Sequence, residues 1–201
     1  MHGERTLQQA LGYDRGLQKR LASDMTFFRS LLVLLLLLPT AAFAQNASAR
    51  AAKPHGFRTE FTANLDDVQN KILGLANETP ADKFSWRPAK GVRSISEVYM
   101  HIAGANYLLS TFLGKEAPKQ NGDMEKKVTK KAEVIAELRR SFDHLRTAAN
   151  AASDLDTPVK MFGRPTTHEG VLLTMLNHLH EHLGQSIAYA RMNGVVPPWS
   201  H

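Results

Sequence analysis

Four stretches of the chain carry apolar residues at the spacing of an amphipathic helix. The first begins at Phe57 and continues in steps of three and four residues until about Asn77. The second follows Ser94, which has Glu97 three residues on, the spacing at which two side chains cap the first turn of a helix. Its apolar face ends near Gly114. Each pattern predicts one helix with a face buried in a core.

The other two patterns complete a helical domain. The third helix is predicted from about Thr129, and the fourth is predicted to begin with a second capping box at Thr166 and Glu169 and to end at Asn193. The connecting segments hold prolines and glycines and no convincing pair of strands, although a short extended piece at 159–163 stays open. We therefore expect an all-α four-helix bundle, for which periodicity alone leaves up-down-up-down and up-down-down-up equally open.

The N-terminal segment has the layout of a secretory signal. Residues 25–44 hold Arg29, an apolar run and a small-x-small ending at Ala44, and the run is too short for a comfortable membrane span. We expect an exported protein, periplasmic or secreted, with no stable membrane insertion once the signal is cleaved. The expected organisation is an upstream extension at 1–24, the signal peptide at 25–44, a flexible linker at 45–56 and the bundle domain at 57–201.

The chain of 201 residues contains no cysteine. Disulfides, cysteine nucleophiles and thiolate metal ligands are thereby excluded, and any metal site must use nitrogen and oxygen donors. The formal net charge of +6 is spread along the chain without a concentrated basic stripe, so we expect no nucleic-acid partner.

The segment LNHLHEHLGQ raises the question of metal chemistry. His178 and His182 are four residues apart on the core-facing line of the fourth helix, whereas His180 lies about 200° round the helix from His178. His101 lies on the apolar line of the second helix. Two interpretations remain open from these residues: imidazoles that pack in a core with ordinary hydrogen bonds, or three ligands of one ion.

A site with three imidazoles and no carboxylate would keep positions open for water or substrate. Zinc and nickel are the expected ions, with iron and manganese as alternatives. Gln185 and Asn106 lie about one helical turn from a histidine, and they are candidates to hydrogen-bond a ligand or bind substrate, or else polar members of the core. Glu97 and Glu181 are weak candidates for a general base.

The chain resembles the DinB-like superfamily of metal-binding four-helix bundles in two segments, FSWRPAKGVRSISEVYMHIAGANYLL and LNHLHEHLGQSIAYARMNGVVPPWS. The similar region spans about 57–199. The resemblance implies an up-down-down-up topology, a homodimer, and a divalent metal ion held by His101, His178 and His182.

Relatives in that superfamily include thiol-dependent transferases and a thiol-dependent maleylpyruvate isomerase. The resemblance thus implies a thiol-type transferase, and the open position of the expected metal site would equally support a metal-dependent hydrolase, in either case with a small-molecule substrate. The predicted export argues against a low-molecular-weight thiol partner, because such thiols are cytosolic reductants. The alternative function is that of a non-catalytic metal-binding or stress-related bundle.

Overall fold

The computed structural model describes residues 56–119 and 123–200, which form a helical bundle. The predicted upstream extension, the signal peptide and the linker through residue 55 lie outside the described residues, so these assignments stay predictions. Within the described ranges, no helix has both the length and the apolar character needed to cross a membrane.

The elements follow the predicted series of long helices, with short helical turns and a hairpin between them. In chain order they are α1 (Phe57–Glu78), a 3-10 turn (Ala81–Lys83), α2 (Ile95–Thr111), α3 (Met124–Lys127), α4 (Lys131–Ala151), β1 (Pro158–Met161), β2 (Arg164–Thr167) and α5 (His168–Met192). The long helices α1, α2, α4 and α5 each lie within a few residues of a helix that the sequence predicts.

The four long helices form a ring in which α1 and α2 lie at opposite corners. Each of these two helices packs against both α4 and α5. Helices α1 and α4 are antiparallel, because Lys131 at the start of α4 donates from Nζ to the carbonyls of Asn77 (2.6 Å) and Thr79 (2.8 Å) at the end of α1. At the other end of this pair, Arg58 donates to the carbonyl of Ala149 at 2.7 Å.

The direction of α2 and α5 makes the bundle up-down-down-up. Trp86, just before α2, packs its ring against Tyr189 near the end of α5, with ring centroids 5.5 Å apart. His101, farther along α2, lies beside His178, which comes earlier on α5, so these two helices are antiparallel. The end of α1 lies beside the segment that follows α5, so α1 and α5 run in the same direction. The expected fold class, an all-α four-helix bundle, is confirmed.

The core lies between the long helices and is built from the predicted apolar faces. Its largest fully buried side chains are Tyr99, Phe84, Phe142, Leu65, Ile72, Leu75, Met100, Ile102, Leu138, Leu145, Leu172 and Met175. Complete burial of a leucine or phenylalanine side chain stabilises the fold by about 1.5–3 kcal/mol relative to leaving it exposed. Because such a core is close-packed, it fixes the rotation of each helix and thereby decides which polar side chains meet at its border.

One of the two predicted capping boxes is present. At the start of α2, Glu97 N donates to Ser94 Oγ at 3.3 Å and Ser94 N donates to Glu97 Oε2 at 2.7 Å. The predicted box of Thr166 and Glu169 is wrong, because Thr167 caps α5 and its Oγ1 accepts from the Gly170 amide at 3.3 Å. The shift by one residue follows from where β2 ends, because its last residue, Thr167, stands directly before His168, the first residue of α5.

The segment before α5 is a β-hairpin rather than a loop without strand pairing. Strand β1 pairs antiparallel with β2, so that Val159 lies opposite Thr166. The two residues between the strands, Phe162 and Gly163, both have positive φ, 49° and 83°. Two left-handed residues make the tight turn that suits the twist of a hairpin. Strands of four residues are too short for apolar alternation to reveal them.

Candidate metal centre

Three histidines from two helices meet at the border of the bundle core. One ring nitrogen of each of His101, His178 and His182 lies within 4.8 Å of those of the other two. The Nε2 atoms of His101 and His178 are 3.2 Å apart. His182 is buried and the other two rings are half-buried, so the cluster is anchored in the core and faces solvent on one side.

Helix geometry explains which histidines meet. His178 and His182 stand one turn apart on α5, with ring centroids 4.4 Å apart. The His101 ring of the antiparallel α2 lies 5.1 Å and 4.7 Å from theirs. His180 lies on the exposed face of α5, where its Nδ1 donates to the carbonyl of Leu176 at 2.8 Å. The structure therefore brings the three predicted ligands together and leaves His180 outside the cluster.

Hydrogen bonds on the far side of two rings direct their other nitrogens into the cluster. His101 donates from Nδ1 to Glu125 Oε1 at 3.0 Å, and His182 donates from Nδ1 to Gln185 Oε1 at 2.8 Å. Because a carboxylate and an amide oxygen only accept, the proton of each neutral ring lies on Nδ1 and the lone pair on Nε2. Gln185 donates from its own Nε2 to the Tyr189 hydroxyl at 3.2 Å, which fixes the amide.

One pair of these nitrogens already has the spacing that a divalent ion requires, and the third lies within 4.8 Å of both. Two imidazole nitrogens bound to one tetrahedral zinc ion at ~2.0–2.1 Å lie about 3.3 Å apart. The Nε2 atoms of His101 and His178 match this separation, at 3.2 Å. A neutral, purely nitrogen donor set suits zinc, nickel or iron(II) better than the oxygen-seeking magnesium and calcium ions. The residues present therefore fit a first-row divalent cation.

Burial lowers the pKa of two of the imidazoles and so favours the neutral state that binds metal. It is the main cause that lowers the pKa of His178 to about 4, and the neighbouring imidazoles and Arg93 lower it further. Burial also lowers the pKa of His101, although the hydrogen bond to Glu125 acts in the opposite direction. Neutral rings need not lose a proton before they bind a cation.

Glu125 and Arg93 are part of the cluster's surroundings, and the sequence patterns missed both. Arg93 donates from Nε to Glu125 Oε2 at 2.8 Å and from Nη2 to Glu125 Oε1 at 3.3 Å. Burial alone would raise the pKa of Glu125, but the hydrogen bonds from Arg93 and His101 outweigh it and lower that pKa. Glu125 therefore stays anionic against His101. It opens a lysine-rich stretch, and no helical spacing connects it to α2.

The other candidates from the sequence lie at different places. Asn106 is buried and donates from Nδ2 to Ser141 Oγ at 3.1 Å, across the contact of α2 with α4, so its role toward substrate stays a prediction. Glu97 completes the cap of α2 and forms an ion pair with Arg87 at 3.0 Å. Glu181 is exposed on α5. Gln185 is the candidate that the structure places directly on a histidine of the cluster.

Two surface grooves adjoin the cluster. The first has a volume of about 380 Å³, and Met100, His101, Ala105, Leu108 and Met124 contribute to its lining. The second has a volume of about 510 Å³, and Arg87, Arg93, Glu97 and Gln185 contribute to its lining. Both grooves also share Glu125 and Lys126. Their sizes fall in the range of small-molecule sites, about 300–1,000 Å³.

A family comparison identifies the fold. The family model of the DinB superfamily matches residues 64–186, a range that includes all three histidines of the cluster. This chain belongs to the DinB superfamily. The resemblance carried by its two histidine-bearing segments is thereby confirmed, and the cluster described above is the histidine cluster of a DinB-superfamily bundle.

Solved structures of other DinB-like proteins share the architecture. A DinB-like protein from Bacillus cereus is 21% identical with a TM-score of 0.62, and the match covers 69% of this chain and 93% of that one. A DinB-like protein from Bacillus subtilis is 22% identical with a TM-score of 0.54, and the match covers 68% of this chain and 93% of that one. At such identities the similarity concerns the fold. No curated protein matches the chain.

Proposed function

We propose that this DinB-superfamily protein is an exported metal-dependent enzyme that holds a divalent cation at His101, His178 and His182 and catalyses hydrolysis or group transfer on a small molecule. The observation that carries the proposal is the convergence of these three imidazoles, with ring nitrogens within 4.8 Å of one another. Membership of the superfamily supports it, because the matched range contains the whole cluster.

The donor set supports an open centre rather than a closed structural one. Structural zinc sites take four protein ligands, whereas catalytic sites take three and keep a position for water or substrate. A divalent cation held at this cluster supplies Lewis acidity toward a water, carbonyl or thiol group. Zinc and nickel are the proposed ions, with iron and manganese as alternatives, because three neutral imidazoles accept any of them.

The chain's own residues orient the histidines and give a substrate access to the cation position. Glu125 and Gln185 hold His101 and His182 through their Nδ1 atoms, which keeps both Nε2 atoms aimed at the cation position. The two grooves lead substrate to this position from the surface. Glu97 and Glu125 are held by arginines and act through charge and position rather than as proton carriers.

A second candidate function follows from where the histidines stand. His101 belongs to α2 and the other two belong to α5, so a bound cation would join two helices of the bundle. In that case the protein is a non-catalytic metal-binding or stress-related module whose ion contributes to folding stability. The grooves beside the cluster favour the enzyme, because a purely structural ion needs no route for substrate.

Chelation followed by reconstitution tests the enzyme proposal. The protein from residue 45 onward is stripped of metal, reloaded separately with zinc, nickel, iron(II) and manganese, and assayed against ester, amide and thiol-transfer substrates. We expect turnover that disappears on chelation, returns with one of these ions, and is lost in His178→Ala but kept in His180→Ala. Turnover that survives complete metal removal would contradict the proposal, and metal binding without any turnover would favour the non-catalytic module.

A further inference from the structure

The two grooves beside the histidine cluster differ in chemistry. Each one reaches the cluster through a different residue: the first through His101, and the second through Gln185, whose Oε1 accepts from His182. They meet at Glu125 and Lys126, which line both. A ligand at the cation position can therefore extend into both grooves at once.

The second groove is cationic. Its charged residues are the cations Arg87, Arg93 and Lys126 and the anions Glu97 and Glu125, so the cations exceed the anions by one. Both carboxylates are already bound: Glu97 by Arg87 at 3.0 Å, and Glu125 by Arg93 at 2.8 Å. Lys126 is exposed at the rim shared with the first groove. The groove therefore presents positive charge to an incoming ligand, and the proposed metal ion adds more.

The first groove has an apolar wall. Met100, Ala105 and Leu108 of α2 and Met124 of α3 form it, and the charged Asp123, Glu125 and Lys126 line the rest of the groove together with His101 and Gly104. Leu108 is 45% exposed, so it offers apolar surface to a ligand in this groove. An apolar ligand body laid along this wall would remove that exposed surface from water, which favours binding.

We propose that the substrate of this centre is a small amphiphilic anion, a carboxylate carried on an aliphatic body, and this inference rests on the proposed function. The carboxylate lies in the second groove near Lys126 and Arg93, because charge-assisted hydrogen bonds from ammonium and guanidinium groups are the strongest partners of an oxyanion. The aliphatic body lies along Leu108 and Ala105. His101, in the first groove, and Gln185, in the second, would bring the junction of head and body close to a cation held by the three histidines.

Three simple carboxylic-acid derivatives separate the two grooves. Hexanoate has both an anionic head and a body, acetate has the head alone, and hexanamide has the body with an uncharged head. Calorimetric titration of zinc-loaded and metal-free protein should show saturable binding of hexanoate. Acetate and hexanamide should bind at least tenfold more weakly, because each buried methylene contributes roughly fourfold in affinity and each charged contact a comparable or larger factor.

Neighbouring residues provide matched variants for each groove. Lys126→Gln removes a cation that lines both grooves, whereas Lys130→Gln removes one that pairs with Glu133 at 3.5 Å and lines neither. We expect the first to weaken hexanoate about tenfold and the second to leave it unchanged. Leu108→Ser should weaken hexanoate but not acetate, and Leu173→Ser, on an equally exposed leucine of α5, should affect neither.

The metal content of the same samples separates this inference from the proposed function. A protein that holds zinc but binds hexanamide as tightly as hexanoate overturns the inference alone. Equal hexanoate affinity in Lys126→Gln and Lys130→Gln overturns it as well. A protein that prefers hexanoate in the expected way but holds no metal contradicts the proposed function and supports the assignment of the two grooves.

Discussion

Glu125 Oε1 lies 3.0 Å from His101 Nδ1, and the same carboxylate accepts a hydrogen bond from Arg93. Three separate segments thus meet behind one imidazole: α2, the loop before it, and the short helix α3. A carboxylate behind a metal-binding imidazole fixes the ring tautomer and raises the basicity of the nitrogen that faces the ion. The pair therefore belongs to the proposed metal centre although Glu125 is not one of its proposed ligands.

Removal of the Glu125 carboxylate should weaken metal binding. We expect Glu125→Ala to lower zinc affinity by about 10–100-fold, the usual effect of losing such a partner, and Glu125→Gln to lower it less because an acceptor oxygen remains. Competition with a chromophoric chelator measures the affinity. Glu133→Gln is the matched control, since that exposed carboxylate pairs with Lys130 at 3.5 Å. Equal affinities in wild type and Glu125→Ala would remove Glu125 from the centre.

Gln185 should stabilise the protein even without metal. Gln185→Leu leaves the Nδ1 proton of the buried His182 without its acceptor, and a buried donor without a partner costs about 1–3 kcal/mol. Urea denaturation of the metal-free variant gives this difference in the free energy of unfolding. Gln185→Glu keeps an acceptor oxygen and should have the metal affinity of the wild-type protein, whereas Gln185→Leu should bind metal more weakly. Wild-type metal affinity in Gln185→Leu would show that the contact with His182 Nδ1 is unimportant.

The capping box of α2 should contribute to stability. Ser94→Ala removes the side chain that accepts from the Glu97 amide, which should lower the free energy of unfolding by about 0.5–2 kcal/mol. Ser85→Ala, in the exposed loop nearby, is the control and should change little. Thermal and urea unfolding of both variants provide the comparison. An equal effect of the two substitutions would contradict the capping role.

Acid should destabilise the metal-free protein through His178. Its pKa is about 4 in the folded state against an ordinary value of 6.5. Between these two pH values the unfolded chain therefore binds a proton at His178 that the folded chain does not bind. This contribution to stability is complete above pH 6.5 and is lost as the pH falls toward 4. Urea unfolding over that interval should show a smaller loss in His178→Leu than in wild type.

The control for the acid experiment is His180→Leu. His180 is exposed on the opposite side of α5, so its removal should leave the wild-type slope of stability against pH. Identical slopes in wild type, His178→Leu and His180→Leu would show that burial of His178 does not oppose its protonation.

The helices and the three histidines could be predicted from the sequence because both depend on local periodicity. An i to i+4 spacing places His178 and His182 on one face whatever the rest of the fold does, and apolar neighbours turn that face inward. The order of helices around the bundle is different. It depends on contacts such as that of Lys131 with the end of α1, which no pattern within a single helix records.

The parts that the sequence did not reveal come from loops and short elements. Glu125 reaches His101 because a chain reversal places α3 beside α2, and a lone glutamate before two lysines resembles any solvated surface. The hairpin before α5 was missed because four-residue strands carry too few positions to show alternation. The same hairpin sets the cap of α5 at Thr167 rather than Thr166, since β2 ends at Thr167 and the helix begins at His168.

Metal content, measured by elemental mass spectrometry on the protein from residue 45 onward, tests the central claim most directly. The account predicts close to one divalent ion per chain in wild type and in His180→Ala, and loss of that ion in His101→Ala, His178→Ala and His182→Ala. Circular dichroism of each variant verifies that the bundle is folded. No bound metal in the folded wild-type protein after reconstitution, or equal metal in all four variants, would contradict it.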